Sequence, residues 1–224
     1  MSPAAGAWNM AVDQAMLELY PQQQLSTLRL YSWAPACVSL GIAQRWSDVQ
    51  AERCAERGIE VVRRPTGGRA ILHDYEVTYS LVTRQADPLI AAPTIVAAYA
   101  QISAALVTGL QRLGIGAELA ARPVAYTTKS AACFDLAADY EITVGGRKLV
   151  GSAQARKQGV VLQQGTLLLH ADVEALAAVL HVPEHVTAEY LGQRLVALDE
   201  VLGREPAVEE VETALVAGFA EAWG

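Results

Sequence analysis

Few residues in this chain have the chemistry to act on a substrate, so each one can be weighed. The 224 residues include three cysteines, Cys37, Cys54 and Cys133, and three lysines, Lys129, Lys148 and Lys157. A cysteine is a nucleophile only as its thiolate, and nearby cations favour that form. Cys133 lies in "AACFDL", the only cysteine outside a predicted element, while Cys54 sits inside a short charged helix. Isolated cysteines are most often small buried hydrophobes, and spacing alone does not bring Cys133 to a cation. Lys148 stands in "GRKLVGSAQ", one residue removed from the double glycine Gly145-Gly146 by Arg147, and small Gly151, Ser152 and Ala153 come after it. It reads either as an ordinary exposed hairpin lysine or as a lysine aimed along a channel that small residues keep open.

The second candidate is "RRPTGGRAILHD", residues 63–74. It lacks GxxxxGK[ST] and GxGxxG, so it is neither a P-loop nor a dinucleotide fingerprint. One reading is a tight turn in which Gly67 and Gly68 supply positive φ. The other is a ligand loop, with Arg63, Arg64 and Arg69 facing an anionic or polarised group. His73 closes the segment and reads as structural when taken alone. His170, His181 and His185 show no partnering pattern, and no CxxC or His/Cys cluster suggests a metal.

The elements that must position these residues follow from periodicity. "NMAVDQAMLELY" (9–20) has helical spacing and an Asn able to cap it. "TLRLYSW" (27–33), "CVSLG" (37–41) and "IEVVRR" (59–64) read as strands, with a helix over 47–58 stopped by Gly58. "RAILHD" and "EVTYSLVT" look like a strand pair. A helix spans about 93–113, and Gly114 ends it. Gly145-Gly146 marks a hairpin in "YEITVGGRKLVGSA", and "VVLQQGTLLLH" is a further strand. From about 172 to 224 the chain is mostly helical, broken at Pro183 and Pro206. Strands come in groups rather than in βαβ alternation, which predicts an α+β fold: a mixed, largely antiparallel sheet flanked by helices.

The composition, 52% hydrophobic and 18% charged, supports one well-packed domain over 1–224. No apolar run is long enough to span a membrane and no signal pattern opens the chain. A cytoplasmic protein with no membrane role is therefore expected. The net charge of −7 argues against nucleic-acid binding. Positive charge is gathered locally, at Arg63, Arg64 and Arg69 and again at Arg147, Lys148, Arg156 and Lys157.

Three segments in order, "NMAVDQAM", "RRPTGGRAILHDYEVTYSL" and "CFDLAADYEITVGGRKLVGSAQARKQGVVLQQGTLLL", resemble the superfamily of biotin protein ligases, lipoate–protein ligases and octanoyltransferases. The resemblance covers roughly residues 8–170. It implies the class II biotin ligase/lipoate ligase catalytic fold. In that family the Arg-rich double-glycine loop lines the acyl pocket, and the hairpin lysine reaches the acyl carbonyl. By this likeness Arg64, Gly67, Gly68, Arg69, His73, Gly151, Ser152 and Ala153 bind substrate. ATP-dependent lipoate ligases carry a third glycine where this chain has Arg69, and Asn-Asp where it has Cys133-Phe134. One octanoyltransferase type has "CF" fifteen positions before the lysine, and here the interval is 148 − 133 = 15. The likeness is to the octanoyl-[acyl carrier protein]:protein N-octanoyltransferases of Gram-positive type.

The mechanism that the likeness implies needs no cofactor. Cys133 takes octanoyl from a carrier thioester, a nearly isoenergetic exchange, and a lysine of a lipoyl domain such as the glycine-cleavage H protein then forms the amide. Lys148 favours the thiolate and helps deprotonate the incoming amine. Backbone N–H groups near Gly67-Gly68 or Lys148 stabilise the oxyanion. Burying the chain is worth up to about 0.8 kcal/mol per CH₂, so tunnel depth sets chain length. The sequence departs from the family's pattern in a first strand that is shortened or missing, a short loop before Cys133, and Gln164 where a His is usual. An ATP-dependent lipoate ligase domain, an amidotransferase between lipoyl domains and a non-catalytic acyl-binding scaffold are the competing readings. Octanoyl-acyl carrier protein and the lipoyl acceptor are both acidic, so this acidic chain is expected to gather its basic clusters on one face.

Overall fold

The computed structural model describes residues 3–90, 94–120 and 141–224. Its centre is a strand buried on both faces. Strand β5 (Glu76–Arg84) lies between β1 (Thr27–Tyr31) and β9 (Val160–Leu168). The sheet continues through β8 (Arg147–Lys157) and β7 (Ile142–Val144) to β6 (Glu118–Leu119), and all its neighbours are antiparallel. A second sheet has the order β3 (Glu60–Arg63), β2 (Cys37–Leu40), β4 (Ile71–His73), with β2 and β3 parallel. The expected α+β fold with a mixed, mostly antiparallel sheet is what forms.

The two faces of the large sheet differ in chemistry. One face sends Val77, Tyr79, Leu81, Val150, Val161 and Leu167 into an apolar core. That core is closed by α3 (Ile95–Arg112) and α7 (Val208–Trp223), through residues such as Ile102, Leu106, Leu215 and Phe219. A Cβ on Gly218 would lie 2.3 Å from the Gly109 backbone nitrogen, so the two helices meet backbone to backbone. The other face carries Arg29 and Tyr31 from β1, Glu76, Thr78 and Ser80 from β5, and Gln164 and Thr166 from β9, as the register dictates. Helix α1 (Gly6–Gln23) and the small sheet cover it. Helices α2 (Ala51–Glu56) and α4 (Val173–Val179) pack on the small sheet's far side, and short α5 (Ala188–Gly192) and α6 (Leu198–Leu202) complete the chain.

Several sequence expectations need correction. "RAILHD" and "EVTYSLVT" do not pair: β4 joins β2 in the small sheet, and β5 crosses to the large one. The link between them is only Asp74-Tyr75, so adjacency in sequence hid a change of sheet. Asn9 does not cap α1, which starts at Gly6; it is buried and donates to Ala4 O (3.2 Å) and Ser32 O (3.1 Å). Of Gly67 and Gly68, only Gly68 has positive φ (82°). The second basic cluster is not a cluster. Arg147 and Lys157 stand at opposite ends of β8, about 30 Å apart at strand rise. The Gly145-Gly146 hairpin does form, both residues at positive φ (56° and 77°). The helix expected over 93–113 is α3, capped by Thr94, whose side chain accepts from the Ala97 N–H (3.1 Å).

Candidate active site

The polar face of the large sheet is held by one carboxylate. Asp13, on α1, is fully buried and accepts from Arg29 Nη1 (2.6 Å), Tyr31 OH (2.8 Å), Ser80 Oγ (2.8 Å) and Gln164 Nε2 (2.6 Å). Burial and the nearby Asp13 carboxylate push the Tyr31 hydroxyl well above its usual range, so it donates. Gln164 also accepts from Thr66 Oγ1 (2.8 Å), which ties α1 and β9 to the double-glycine loop. The residue that departs from the usual His therefore has a definite place in the network, since its amide donates to one partner and accepts from another.

A second network runs beside it. Arg64 Nη1 donates to Ser39 Oγ (3.0 Å), Ser39 Oγ lies 2.7 Å from His73 Nε2, and His73 Nδ1 lies 2.6 Å from Glu76 Oε1. The Glu76 carboxylate only accepts, so Nδ1 carries the proton that it shares with Glu76, and Ser39 donates to Nε2 in the neutral ring. Thr78 donates to the same Glu76 oxygen, and Trp33 Nε1 donates to Thr78 (2.7 Å). Trp33 stacks on His73 with centroids 4.0 Å apart. Between the two networks lies a small cavity, lined by Met10, Trp33, Ile71, His73, Ala153 and Gln164 among others. Its polar neighbours spend their hydrogen bonds on one another, so the wall offers carbon surface, the lining an alkyl chain needs.

The double-glycine loop closes over this cavity. A Cβ on Gly68 would lie 3.8 Å from Ala153 Cβ, and one on Gly41 would lie 2.1 Å from Gly68 O. The loop is braced by its own arginines. Arg64 Nη2 donates to Gly67 O and Arg69 O, each at 2.7 Å. Arg63 Nη1 donates to Gly41 O (2.8 Å) and Gln44 O (2.7 Å). Arg63 and Arg64 therefore hold loop geometry, whatever else they meet.

Lys148 is no ordinary hairpin lysine: it is 2% exposed, and its ammonium is paired with buried Glu141. Its backbone leaves β7 and pairs with another segment, the Lys148 N–H donating to Arg194 O (2.8 Å) and the Val196 N–H to Lys148 O (2.9 Å). Between the pairs Thr143–Lys148 and Ile142–Val150, β8 has one residue more than β7, a bulge at Leu149. A bulge shifts side-chain alternation by one, so Lys148 falls in phase with Gly151 and Ala153, on the cavity face. Ser152 does not share that face; its hydroxyl lies 2.7 Å from Tyr79 OH, on the apolar side. Only two of the three small residues can wall a channel to Lys148.

Cys133 lies outside the described residues. The other two thiols are unsuited to catalysis. Burial pushes Cys37 up to about 12, helped by Glu60 and Glu76, and burial raises Cys54 as well. Sequence reasoning missed Asp13, Ser39, Glu76 and Glu141, whose roles arise from strand register rather than spacing. It also missed that His170 has a partner, Asp199 Oδ2 at 2.6 Å. Among the described residues, no group of His, Cys, Asp or Glu could hold a metal ion, and no helix is long and apolar enough to cross a membrane.

Residues 5–220 match the lipoyl protein ligase A/B catalytic domain family. The octanoyltransferase LipM of Kyrpidia tusciae is 44% identical, over 98% of this chain and 84% of that protein. That of Moorella thermoacetica is also 44% identical, over 94% and 80%, and that of Clostridioides difficile 38%, over 96% and 82%. Among solved structures, a bipartite lipoate protein ligase of Thermoplasma acidophilum superposes with TM-score 0.79 at 24% identity, over 99% of this chain and 80% of that one. Lipoate-protein ligase A bound with ATP gives TM-score 0.74 at 26% identity, over 99% and 85%.

Proposed function

Since the chain belongs to the lipoyl protein ligase A/B catalytic domain family, we propose that it is an octanoyltransferase of lipoate biosynthesis that works through an acyl-cysteine. The donor is an octanoyl thioester on acyl carrier protein. The acceptor is a lysine of a lipoyl domain such as the glycine-cleavage H protein. The observation that carries the reading is Lys148, a buried ammonium that a bulge puts in phase with Ala153, which lines the apolar cavity.

The Cys133 thiolate attacks the octanoyl carbonyl, and the carrier's thiolate leaves and takes a proton. The acyl group now sits as a thioester on Cys133. The acceptor amine attacks the same carbon, loses a proton and forms the amide, and Cys133 is returned as the thiol. Energy for the amide comes from the thioester, so no nucleotide is consumed. Lys148 supports the thiolate by charge. Glu141 balances that charge where water is excluded. The octanoyl chain fills the cavity beside Trp33 and His73, whose stacked rings set how deep it reaches. Gly67, Gly68 and Arg69 shape the cover through which it passes. We read residues 1–224 as one catalytic unit, since Phe219 near the C-terminus shares a core with Tyr79 of the central strand. Free, buried Cys37 and Cys54 suit a reducing cytoplasm.

Intact-protein mass spectrometry after mixing with octanoyl-acyl carrier protein, without ATP, tests this. A hydroxylamine-sensitive octanoyl adduct on the wild type, absent from Cys133→Ala, is the expected result. An octanoyl adenylate formed only with octanoate and ATP would make the protein a ligase domain and reduce Cys133 to packing.

A further inference from the structure

The loop after β2 turns its largest apolar side chains outward. Ile42 is 57% and Trp46 55% exposed. The backbone beneath them is fixed, so the exposure is not that of a loose loop. The Ile42 N–H donates to Thr66 O (2.9 Å), the Gly41 N–H to Gln44 Oε1 (3.0 Å) and the Gln44 N–H to Gly41 O (3.0 Å). Arg63 clamps three carbonyls of the same loop, Gly41, Ile42 and Gln44. A rigid, apolar, exposed patch marks an interaction surface.

The charge around the patch says what kind of partner fits. Arg45, between Ile42 and Trp46, is exposed, and its guanidinium meets no hydrogen-bond or ion-pair partner among the described residues. Arg63 spends its hydrogen bonds on carbonyls, which leaves its positive charge unbalanced by a carboxylate. Three other surface arginines are neutralised, Arg112 by Glu221, Arg147 by Glu200 and Arg204 by Glu210. Exposed Arg53, Arg57 and Arg84 have no carboxylate partner within bridging distance among the described residues, but no exposed large apolar side chain stands next to them in the sequence. Asp48, at the loop's end, accepts from the neutral Gln44 amide (3.3 Å) and keeps its negative charge, so the two arginines leave the loop with a net positive charge of one. A tryptophan flanked by free arginine charge is the composition of an interface hot spot. On a chain of net charge −7, it selects an acidic protein.

We propose that Ile42, Arg45 and Trp46, backed by Arg63, form the docking surface for the acidic protein that carries the octanoyl thioester. This rests on the octanoyltransferase reading and adds the place where the donor binds. Donor rather than acceptor follows from position. Ile42 hangs on Thr66, in the loop that covers Ala153 and the cavity. The donor must thread eight carbons past that loop, so it docks where the loop is. Both partners must reach the carbonyl carbon at the Lys148 end, and only the donor also delivers the eight carbons that pass beneath the loop.

Two-substrate kinetics on Arg45→Glu and Trp46→Ala test it, with octanoyl-acyl carrier protein and with the small thioester octanoyl-pantetheine as donors. The expected result is a KM for the carrier donor raised about tenfold or more. KM for the lipoyl acceptor, turnover of octanoyl-pantetheine and Tm stay at wild-type values. An unchanged carrier KM, a rise in the acceptor KM instead, or equal losses with octanoyl-pantetheine would overturn the proposal. If the wild type loads octanoyl from pantetheine but not from the carrier, the docking assignment falls while octanoyl transfer stands. If it loads from neither, the functional reading falls as well.

Discussion

Lys148 is held from two directions, by Glu141 at its ammonium and by Arg194 and Val196 at its backbone. Truncating one partner of a buried pair strands the other charge, at about 3–5 kcal/mol. Lys148→Ala should therefore lower kcat/KM for octanoyl transfer by about a hundredfold or more, together with some loss of Tm. Lys148→Arg should not rescue it, because the planar fork cannot replace a compact ammonium in that space. Single-turnover acyl transfer, with circular dichroism to confirm folding, decides; a fully active arginine variant would reduce Lys148 to a structural cation. The thiols offer a second test. A thiol held near 12 stays protonated as pH rises from 7 to 9, and only thiolate alkylates. Iodoacetamide should then label Cys133 in the native protein across that range, and buried Cys37 and Cys54 only after denaturation. Peptide mapping that found Cys37 labelled in native protein would contradict its burial. Lys148 could be picked out of the sequence because lysines are scarce and this one follows a double glycine. Glu141 could not, because no spacing rule announces a carboxylate that a bulge brings to its partner.

At the scale of elements, β5 shows what alternation conveys and what it hides. "EVTYSLVT" alternates as a strand with one wet face, yet Glu76 through Thr83 are all buried. The polar set is dry because it faces α1 and the small sheet, where it lines the site. Alternation gave the strand and the faces; what covers the second face is a matter of long-range topology, which no local pattern carries. The same limit explains the misread pairing of β4 with β5. The double-glycine loop was legible as a special backbone, and the partner that demands its shape is Gly41, in another segment. A Cβ there would sit 2.1 Å from Gly68 O, a backbone atom that cannot swing away. Gly41→Ala should thus push the loop off Ala153, costing about 1–3 kcal/mol as overpacking does. Octanoyl transfer should fall further than stability alone accounts for, since the cavity's cover moves. Thermal unfolding and acyl-enzyme formation measured side by side would tell; wild-type loading in a destabilised variant would separate loop position from catalysis.

The whole molecule places an apolar cavity between two sheets and gives its cover a cationic, apolar rim, on a chain of net charge −7. Two opposed electrostatic effects then act on an acidic donor: repulsion from the net charge and attraction to Arg45 and Arg63. Their ranges decide which wins. The Debye length is about 30 Å at 0.01 M salt and about 8 Å at 0.15 M. At low salt the donor feels the whole chain and is repelled. Near physiological salt it feels only charges close to the contact, where the rim attracts. At high salt both are screened. The kcat/KM for the carrier donor should therefore rise with ionic strength, pass a maximum near roughly 0.1–0.2 M and then fall. Arg45→Glu removes the attractive part, so its curve should rise without a maximum and stay below the wild type. Octanoyl-pantetheine, small and without an acidic protein attached, should give a nearly flat curve with both enzymes. A wild-type curve that only rises would mean that net repulsion governs encounter at every salt concentration, and that the charge on the rim is not what brings the donor in.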